Sequence, residues 1–185
     1  SIADKIEMTT LNPKKINQHF YINDGSLVCT ESNYSSLKAA LENKEHVYEL
    51  DLNSLQYDVA EKSLKIGTDG SKTLSEKIGE LKNLETLTLN INQINSISSE
   101  IGKLTKLRYL SANLNKLTEL PSEISTLKNL TYLDLGKNNF SQFPKSITAL
   151  TSLAVLNFEG NAIAALPSEI GLLKNCLLYT SDAAD

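Results

Sequence analysis

The sequence predicts an α/β fold in which similar coils stack side by side as a solenoid, and three observations lead to this prediction. Four consecutive units of 23 residues follow one another in register from Leu84 to Asn175. Each unit begins with apolar residues that alternate along a short stretch, as they do on the buried side of a strand. Each unit also carries asparagine at the same position. A single unit is too short to enclose its own apolar side chains, so neighbouring units must stack strand beside strand.

The strand of each unit is predicted from the pattern L-x-x-L-x-L, which begins at Leu84, Leu107, Leu130 and Leu153. Its second and third apolar positions lie two residues apart, so their side chains leave the strand on the same side. These paired positions are Leu87 and Leu89, Leu110 and Ala112, Leu133 and Leu135, and Leu156 and Phe158. A second apolar group in every unit is expected to line the return path of the coil.

An asparagine stands where each predicted strand ends, at Asn92, Asn115, Asn138 and Asn161. A chain that leaves a strand at a tight bend exposes backbone groups that the next coil will bury. A short amide can both donate and accept, so we expect a ladder of asparagines that links one coil to the next. An unpaired buried polar group at this bend would cost about 1–3 kcal/mol.

The pattern of residues 84–175 resembles the leucine-rich repeat family. The closest class is the bacterial-type class of 23 residues, with the signature L-x-x-L-x-L-x-x-N-x-L-x-x-L-P-x-x-I-x-x-L-x-x. The resemblance implies a leucine-rich repeat solenoid shaped as a horseshoe, with parallel strands on the concave face and short helical or 3₁₀ turns outside. It also implies a role in binding other proteins.

Residues 47–83 are interpreted as an irregular first coil without the asparagine. The positions that match the repeat are Val47, Leu50, Leu52, Leu74, Ile78 and Leu81. From Val47 to Leu84 is 37 residues, which is 14 more than one unit, so we expect an insertion near 53–73 that forms a surface loop.

A helical N-terminal cap is predicted for residues 35–46. The stretch SSLKAALENK combines a capping serine with strong helix formers. A helix there is expected to cover the open edge of the first strand. Residues 1–34 carry no pattern that we assign, so the predicted repeat domain is 35–175.

Residues 176–185 break the repeat, because Cys176 stands where the next unit should begin with leucine. The string CLLYTSDAAD fits neither the strand pattern nor a polar capping helix. It resembles the translation of a transposase adaptor used in sequencing libraries, and we interpret it as a sequencing-adaptor artefact. A terminal cap with a reactive thiol is the alternative.

The artefact interpretation has a consequence for the last coil. We expect the natural chain to continue with further repeats, so that the last apolar row is partly uncovered and the chain self-associates through it. This row is Ile163, Leu166, Ile170 and Leu173.

Composition argues against several classes of partner and cofactor. Eighteen basic and 22 acidic residues give a net charge of −4 without a basic stripe, so we expect no nucleic acid partner. No run of about 18 apolar residues is present, so no membrane span is predicted. The two cysteines and two histidines lack zinc-ligand spacing, so we expect no metal and no cofactor. We favour a cytoplasmic location, but the chain begins with Ser1 and not Met, so secretion remains an alternative.

The candidate binding surface is the concave face, where residues between the buried leucines are expected to point to solvent. In successive units these are Thr86, Thr88, Asn90, Ile91, Tyr109, Ser111, Asn113, Leu114, Tyr132, Asp134, Gly136, Lys137, Val155, Asn157, Glu159 and Gly160. Exposed aromatic residues are typical of interface hot spots. We therefore predict partner contacts at Tyr109, Tyr132, Ile91, Leu114, Asp134, Glu159 and Val155. The alternative is a solvated sheet whose partner binds elsewhere.

No catalytic arrangement is supported by a motif. Cys29 with His19 or His46 would offer a nucleophile and a base, but a lone cysteine is usually an inert buried residue. We therefore predict a non-catalytic scaffold that binds a protein partner. The alternative is the recognition part of a larger enzyme, such as a kinase, a ubiquitin-ligase effector or a nucleotide-binding protein, whose catalytic domain lies outside this chain.

Overall fold

One parallel sheet of seven strands runs through the solenoid of this computed structural model, which describes residues 18–23, 26–31, 33–55 and 63–180. The strands lie in the order β11-β10-β9-β8-β7-β4-β3, and all pairs in the sheet are parallel. Their bounds are β3 Asn33–Tyr34, β4 Glu49–Asp51, β7 Thr86–Thr88, β8 Tyr109–Ser111, β9 Tyr132–Asp134, β10 Val155–Phe158 and β11 Leu177–Thr180. The predicted α/β solenoid with parallel strands is confirmed.

Equivalent positions of successive coils face each other across the sheet. Leu87 is paired with Leu110, Leu110 with Leu133, and Leu133 with Leu156, so the spacing of 23 residues in the sequence becomes the register of the strands. All four leucines are fully buried. The other inward positions are buried as well, namely Leu89, Ala112, Leu135 and Phe158. The core is therefore a stack of apolar layers, with one layer for each coil.

Short 3₁₀ helices of five residues each form the return half of the coils. They are Glu76–Glu80, Ser99–Lys103, Ser122–Thr126, Lys145–Ala149 and Ser168–Leu172. The residue before each helix is proline or serine, with φ between −55° and −69°. Proline has this φ fixed by its ring, whereas Ser98 caps its helix by accepting a hydrogen bond from Glu100 N. Both residue types therefore start the same turn.

The N-terminal end of the solenoid differs from the prediction in what covers the first strand. Helix α1 spans Leu37–Glu42, is capped by Ser36 and buries Leu37 and Ala40. The edge of β4, however, is taken by the two-residue strand β3. An extended backbone can satisfy the edge groups of a strand, which a helix cannot do. The expectation that the helix itself covers this edge is therefore wrong.

An antiparallel hairpin precedes the solenoid in a region that the sequence analysis left unassigned. Strands β1 (Gln18–Asn23) and β2 (Ser26–Glu31) pair from Gln18 with Glu31 to Asn23 with Ser26. In the sequence, Asp24-Gly25 separates two runs that are rich in β-branched and aromatic residues. This dipeptide is a strong signal for a two-residue hairpin, and it could have predicted the pair of strands.

Part of the predicted surface loop near 53–73 is a second hairpin. Strands β5 (Leu64–Ile66) and β6 (Lys72–Leu74) pair antiparallel, and Leu64 and Leu74 are buried in the core. β6 is held against the next coil, because Lys72 N donates to Asn95 Oδ1 (2.9 Å). The insertion is therefore integrated into the solenoid over this hairpin, and residues 56–62 lie outside the described residues.

Part of the C-terminal string, Leu177–Thr180, forms strand β11 although it does not match the leucine pattern of the repeat. β11 adds parallel to β10, because the edge of a strand requires only backbone donors and acceptors. The pairing of Leu156 with Leu178 spans 22 residues and not 23, which brings Leu178 and not Tyr179 into line with the core leucines. Residues 181–185 lie outside the described residues, and their origin in an adaptor stays a prediction.

Neighbouring 3₁₀ helices come into close contact at Gly102. A Cβ built on Gly102 would lie 2.7 Å from Glu123 Cβ and 2.9 Å from the Glu123 carbonyl oxygen. Gly171 occupies the same repeat position three units later, and a Cβ there would have no heavy atom within 4 Å. The two glycines therefore differ in packing while sharing a repeat position.

We expect Gly102→Ala to lower the free energy of unfolding by about 1–3 kcal/mol, because the added methyl group forces two adjacent coils apart. Gly171→Ala is the matched control and should leave stability unchanged or raise it by up to about 1 kcal/mol. Urea unfolding followed by circular dichroism measures both. Equal effects of the two substitutions would show that the contact between the 3₁₀ helices is not tight.

Candidate functional site

The asparagine at the end of each strand joins its coil to the preceding one. Asn115 Oδ1 accepts from Asn92 N (3.1 Å) and Ile94 N (3.0 Å), while its Nδ2 donates to Leu89 O (2.9 Å) and Ala112 O (3.0 Å). These bonds satisfy donors and acceptors that the bend would otherwise leave buried without partners. The amide therefore fixes the point at which the chain leaves the sheet.

The same arrangement recurs along the solenoid. Asn138 accepts from Leu117 N (3.0 Å) and donates to Ala112 O (2.9 Å), and Asn161 accepts from Phe140 N (3.0 Å) and donates to Leu135 O (2.9 Å). In the irregular first coil, Leu55 replaces the asparagine and its N–H donates to Asn92 Oδ1 (2.6 Å). Asn92, Asn115 and Asn138 are buried, and Asn161 is half-buried. The strands are thus held in a fixed relative position.

Tyr109 and Tyr132 stack on the exposed side of the sheet. Their ring centroids are 4.2 Å apart and their ring planes differ by 5°. This distance is close to the spacing of paired strands, about 4.8 Å, so the stack follows from the pairing of Tyr109 with Tyr132 in the sheet. Val155 is the next residue in this column, because it pairs with Tyr132. All three side chains are half-buried.

Asp134 lies on the same strand as Tyr132, two residues further on, and is held in place by its neighbours. Its Oδ1 accepts hydrogen bonds from Gly136 N (2.8 Å), Asn113 Nδ2 (3.1 Å) and Asn157 Nδ2 (3.1 Å). Two of these donors come from the adjacent coils. The carboxylate is therefore fixed from both sides, and it is half-buried.

Two of the residues expected to face solvent are buried. Ser111 is only 3% exposed, because its short hydroxyl donates to Asn90 Oδ1 (2.7 Å) of the preceding coil. Gly136 is buried because amides from both adjacent coils close over it, and a Cβ there would lie 2.7 Å from Asn113 Nδ2. The expectation of solvent-facing positions is wrong for Ser111 and Gly136.

The residue before each asparagine, and before Leu55 in the irregular first coil, has left-handed backbone, and these residues form a column at the edge of the face. Its members are Ser54, Ile91, Leu114, Lys137 and Gly160, with φ between 53° and 73°. Each bend is held by the next strand, since Ile91 N donates to Asn113 O (3.0 Å) and Leu114 N to Gly136 O (3.1 Å). The side chains of Ile91 and Leu114 are 56% and 44% exposed. A β-branched residue at positive φ is rare because of steric strain, which the sequence pattern does not reveal.

Glu159 completes the set of predicted contact residues. Its side chain is exposed and its N–H donates to Asn157 Oδ1 (2.9 Å). The structure thus places Tyr109, Tyr132, Asp134 and Val155 side by side on the sheet. We call these four residues the concave patch. Ile91, Leu114 and Glu159 lie toward the end of the strands at which the left-handed column runs.

Burial against the neighbouring coil raises the pKa of Tyr132 to about 12. A hydrogen bond with Tyr109 and the electrostatic interactions with Tyr109 and with the Asp134 carboxylate raise it further. Tyr132 therefore remains a neutral hydroxyl throughout the physiological range of pH.

The remaining candidates for chemistry lie on other elements than the concave patch. Cys29 lies on β2 and His19 on β1. Burial raises the pKa of the Cys176 thiol, which disfavours the reactive thiolate. In the described ranges no cluster of three metal-ligating side chains occurs. Nor is any helix in these ranges long and apolar enough to cross a membrane.

The last apolar row is covered unevenly. Leu173 is buried, Ile163 and Ile170 are half-buried, and Leu166 is 43% exposed. Self-association through this row stays a prediction.

Comparisons with known proteins agree with this architecture. Residues 95–178 match the family described as leucine-rich repeat region. A leucine-rich repeat protein from Leptospira interrogans is similar at 34% identity and a TM-score of 0.66, covering 77% of this chain and 33% of that chain. The chain therefore spans about a third of the length of that protein. No curated protein matches the sequence.

Two plant structures have the same fold. The plant peptide hormone receptor RGFR1, solved in complex with RGF2, is similar at 31% identity and a TM-score of 0.59, over 88% of this chain and 25% of that chain. The ectodomain of the receptor kinase SOBIR1 from Arabidopsis thaliana is similar at 21% identity and a TM-score of 0.60, over 94% of this chain and 82% of that chain. At 21% identity the second likeness concerns the fold alone.

We expect Asn115→Ala to lower the free energy of unfolding by at least about 2 kcal/mol, because it leaves the buried N–H groups of Asn92 and Ile94 without their acceptor and removes one of the two amide donors to Leu89 O and Ala112 O. Asn139→Ala is the control, since Asn139 is exposed and only one residue from the ladder residue Asn138; it should change stability by less than about 0.5 kcal/mol. Urea denaturation compares the two variants. A small effect at Asn115 would mean that water replaces the amide.

The raised pKa of Tyr132 predicts that this hydroxyl ionises at a higher pH than an ordinary tyrosine. Because the folded-state pKa of about 12 lies above the ordinary value of 10, the stabilisation by the neutral hydroxyl is present below pH 10 and is lost as the pH rises toward 12. Ultraviolet titration of the wild type minus Tyr132→Phe should show one tyrosinate appearing near pH 12. A difference signal that titrates near pH 10 would show that the ring is more hydrated than the structure indicates.

Proposed function

The chain is a leucine-rich repeat protein, and from this premise we propose that it is a non-catalytic scaffold that binds a protein partner on its concave face. The leucine-rich repeat fold generally mediates protein–protein interaction, and its members are typically binding proteins. The receptor RGFR1, which is similar to this chain, was solved in complex with RGF2. Substrate recognition for a larger enzyme would use the same face and would respond to the same substitutions.

The observation that supports this proposal best is the stacked tyrosine pair on the exposed side of the sheet. Tyrosine supplies a large contact area with only two rotatable side-chain bonds, so little entropy is lost on binding. Stacking of Tyr109 on Tyr132 restricts both rings before a partner arrives. A preorganised surface of this kind spends less free energy on ordering its side chains in the complex.

Apolar area at the edge of the same face adds to the argument. Ile91 and Leu114 keep exposed side chains on left-handed backbone, where glycine would avoid the strain. Their exposure gains nothing for the fold, because the side chains bury little surface in the free protein. Contact with a partner would bury them, which gives these residues a role in binding.

The proposal is tested by capturing the partner with immobilised wild-type protein from lysate of the source cells, and by measuring its affinity after purification. The double substitution Tyr109→Ala with Tyr132→Ala should weaken binding by at least about tenfold, as expected for aromatic hot spots. The control carries Glu76→Ala with Lys77→Ala, two exposed residues of the 3₁₀ helix Glu76–Glu80, and should bind like the wild type.

Circular dichroism first establishes that both double variants are folded. A partner that binds the tyrosine variant with unchanged affinity would contradict the assignment of the concave face. Loss of binding in the control variant alone would place the contact on the 3₁₀ helices.

A further inference from the structure

The alternate positions along the concave face carry charge of only one sign. In the five coils that contain β4 and β7–β10, the first residue of each strand and the second and fourth residues after it are Glu49, Asp51, Asn53, Thr86, Thr88, Asn90, Tyr109, Ser111, Asn113, Tyr132, Asp134, Gly136, Val155, Asn157 and Glu159. Four of these residues are acidic, namely Glu49, Asp51, Asp134 and Glu159, and none is basic. Basic residues lie beside this set, at Arg108 before β8 and at Lys137 in the left-handed column. These positions therefore carry net negative charge, and Asp134 is the acidic residue on the strand of Tyr132.

Asp134 is the acidic residue with the most restricted geometry. Three donors hold its Oδ1, whereas no described residue donates a hydrogen bond to its Oδ2. Among the described residues, no basic side chain forms an ion pair with Asp134. One oxygen therefore fixes the group, and the other remains an acceptor for a donor from outside the protein.

The neighbours of Asp134 suit the body of a long side chain. Tyr132 and Asp134 alternate with the buried Leu133, so they leave the strand on the same side, about 7 Å apart along it. Tyr109 and Val155 extend this apolar surface to both adjacent coils. The methylene stem of lysine or arginine could lie along these residues while its charged end reaches the carboxylate.

We propose that the protein partner docks through an arginine or lysine whose cationic group binds Asp134 Oδ2 and whose stem packs on the concave patch. This inference rests on the proposed function and specifies the chemistry of the partner. Charge complementarity favours a basic segment, since Asp134 and the other acidic residues at these positions would repel an acidic one. The neutral hydroxyl of Tyr132 adds no competing charge, because its pKa is about 12.

The test uses a phage-displayed library of random peptides, selected on the immobilised wild-type protein. Selected peptides are synthesised, and their affinities are measured by calorimetry. Some selected peptides should bind only when Tyr109 and Tyr132 are present in the protein. We expect all of these peptides to contain an arginine or lysine at a common position. Replacing this residue by its uncharged counterpart, citrulline for arginine or acetyllysine for lysine, should weaken binding to the wild type by about tenfold, in line with hydrogen bonds to charged groups.

Asp134→Asn is the decisive variant, and Asp51→Asn is its matched control. Asp51 occupies the same position on β4, and its Oδ1 also accepts hydrogen bonds, from Asn53 N (2.9 Å) and Thr88 Oγ1 (3.1 Å), but no tyrosine pair lies beside it on β4. Against Asp134→Asn, the charged and uncharged peptides should bind equally. Against Asp51→Asn, the tenfold difference should persist.

The outcomes separate this inference from the proposed function. Docking on Asp134 is overturned if the peptides that depend on Tyr109 and Tyr132 share no basic residue. It is also overturned if Asp134→Asn and Asp51→Asn weaken peptide binding equally. Neither result contradicts the proposed binding scaffold. A library that yields no peptide dependent on the tyrosines counts against both. If Asp134→Asn does not fold, the affinities of the charged and uncharged peptides for the wild-type protein are compared instead. Equal affinities overturn the inference.

Discussion

The hydrogen-bonded asparagine at the end of each strand is the interaction on which the rest of the structure depends. A bend inside a stack of coils buries backbone groups that neither the sheet nor the 3₁₀ helices can satisfy, and each unpaired group costs about 1–3 kcal/mol. Asn115 satisfies such groups in its own coil and in the preceding one. The backbone hydrogen bonds of one coil are therefore all formed only when the neighbouring coil is in register. A constant unit of 23 residues meets this requirement.

The fixed register also determines the surface that is proposed for binding. Because Tyr109 pairs with Tyr132 and Tyr132 with Val155, each outward position becomes a column that runs along the solenoid. A residue in such a column gains neighbours that are far away in sequence. Asp134 receives its donors from Asn113 and Asn157, which lie 21 and 23 residues away. The rigidity of the concave patch is thus a consequence of the same stacking that closes the core.

The sequence predicted the features that follow from its apolar and asparagine periodicity, and it missed features that depend on local turns, on backbone φ or on contacts between coils. The strand leucines, the asparagines and the tyrosine column were visible because four units repeat the same pattern. The hairpins β1–β2 and β5–β6 lie outside the pattern, although the Asp24-Gly25 dipeptide offered a local signal for the first. The burial of Ser111 depends on a hydrogen bond with Asn90 of the preceding coil, and periodicity alone does not separate a serine that points to solvent from one that bonds its neighbour. The left-handed conformation of Ile91 and Leu114 was equally hidden, because a repeat pattern does not specify φ.

The steric strain in the left-handed column concerns function as well as folding. The bend before each asparagine requires positive φ, and Gly160 meets this requirement without strain in the last unit. Ile91 meets it with a β-branched side chain that is 56% exposed, so the strain is not offset by burial in the core. Leu114 continues the same exposed apolar edge on the adjacent coil. Strained backbone is typical of binding sites, so these two residues support the proposed contact with a partner. Asp134 and this apolar edge lie on one face of the sheet, so the proposed partner segment would carry a basic side chain beside apolar ones.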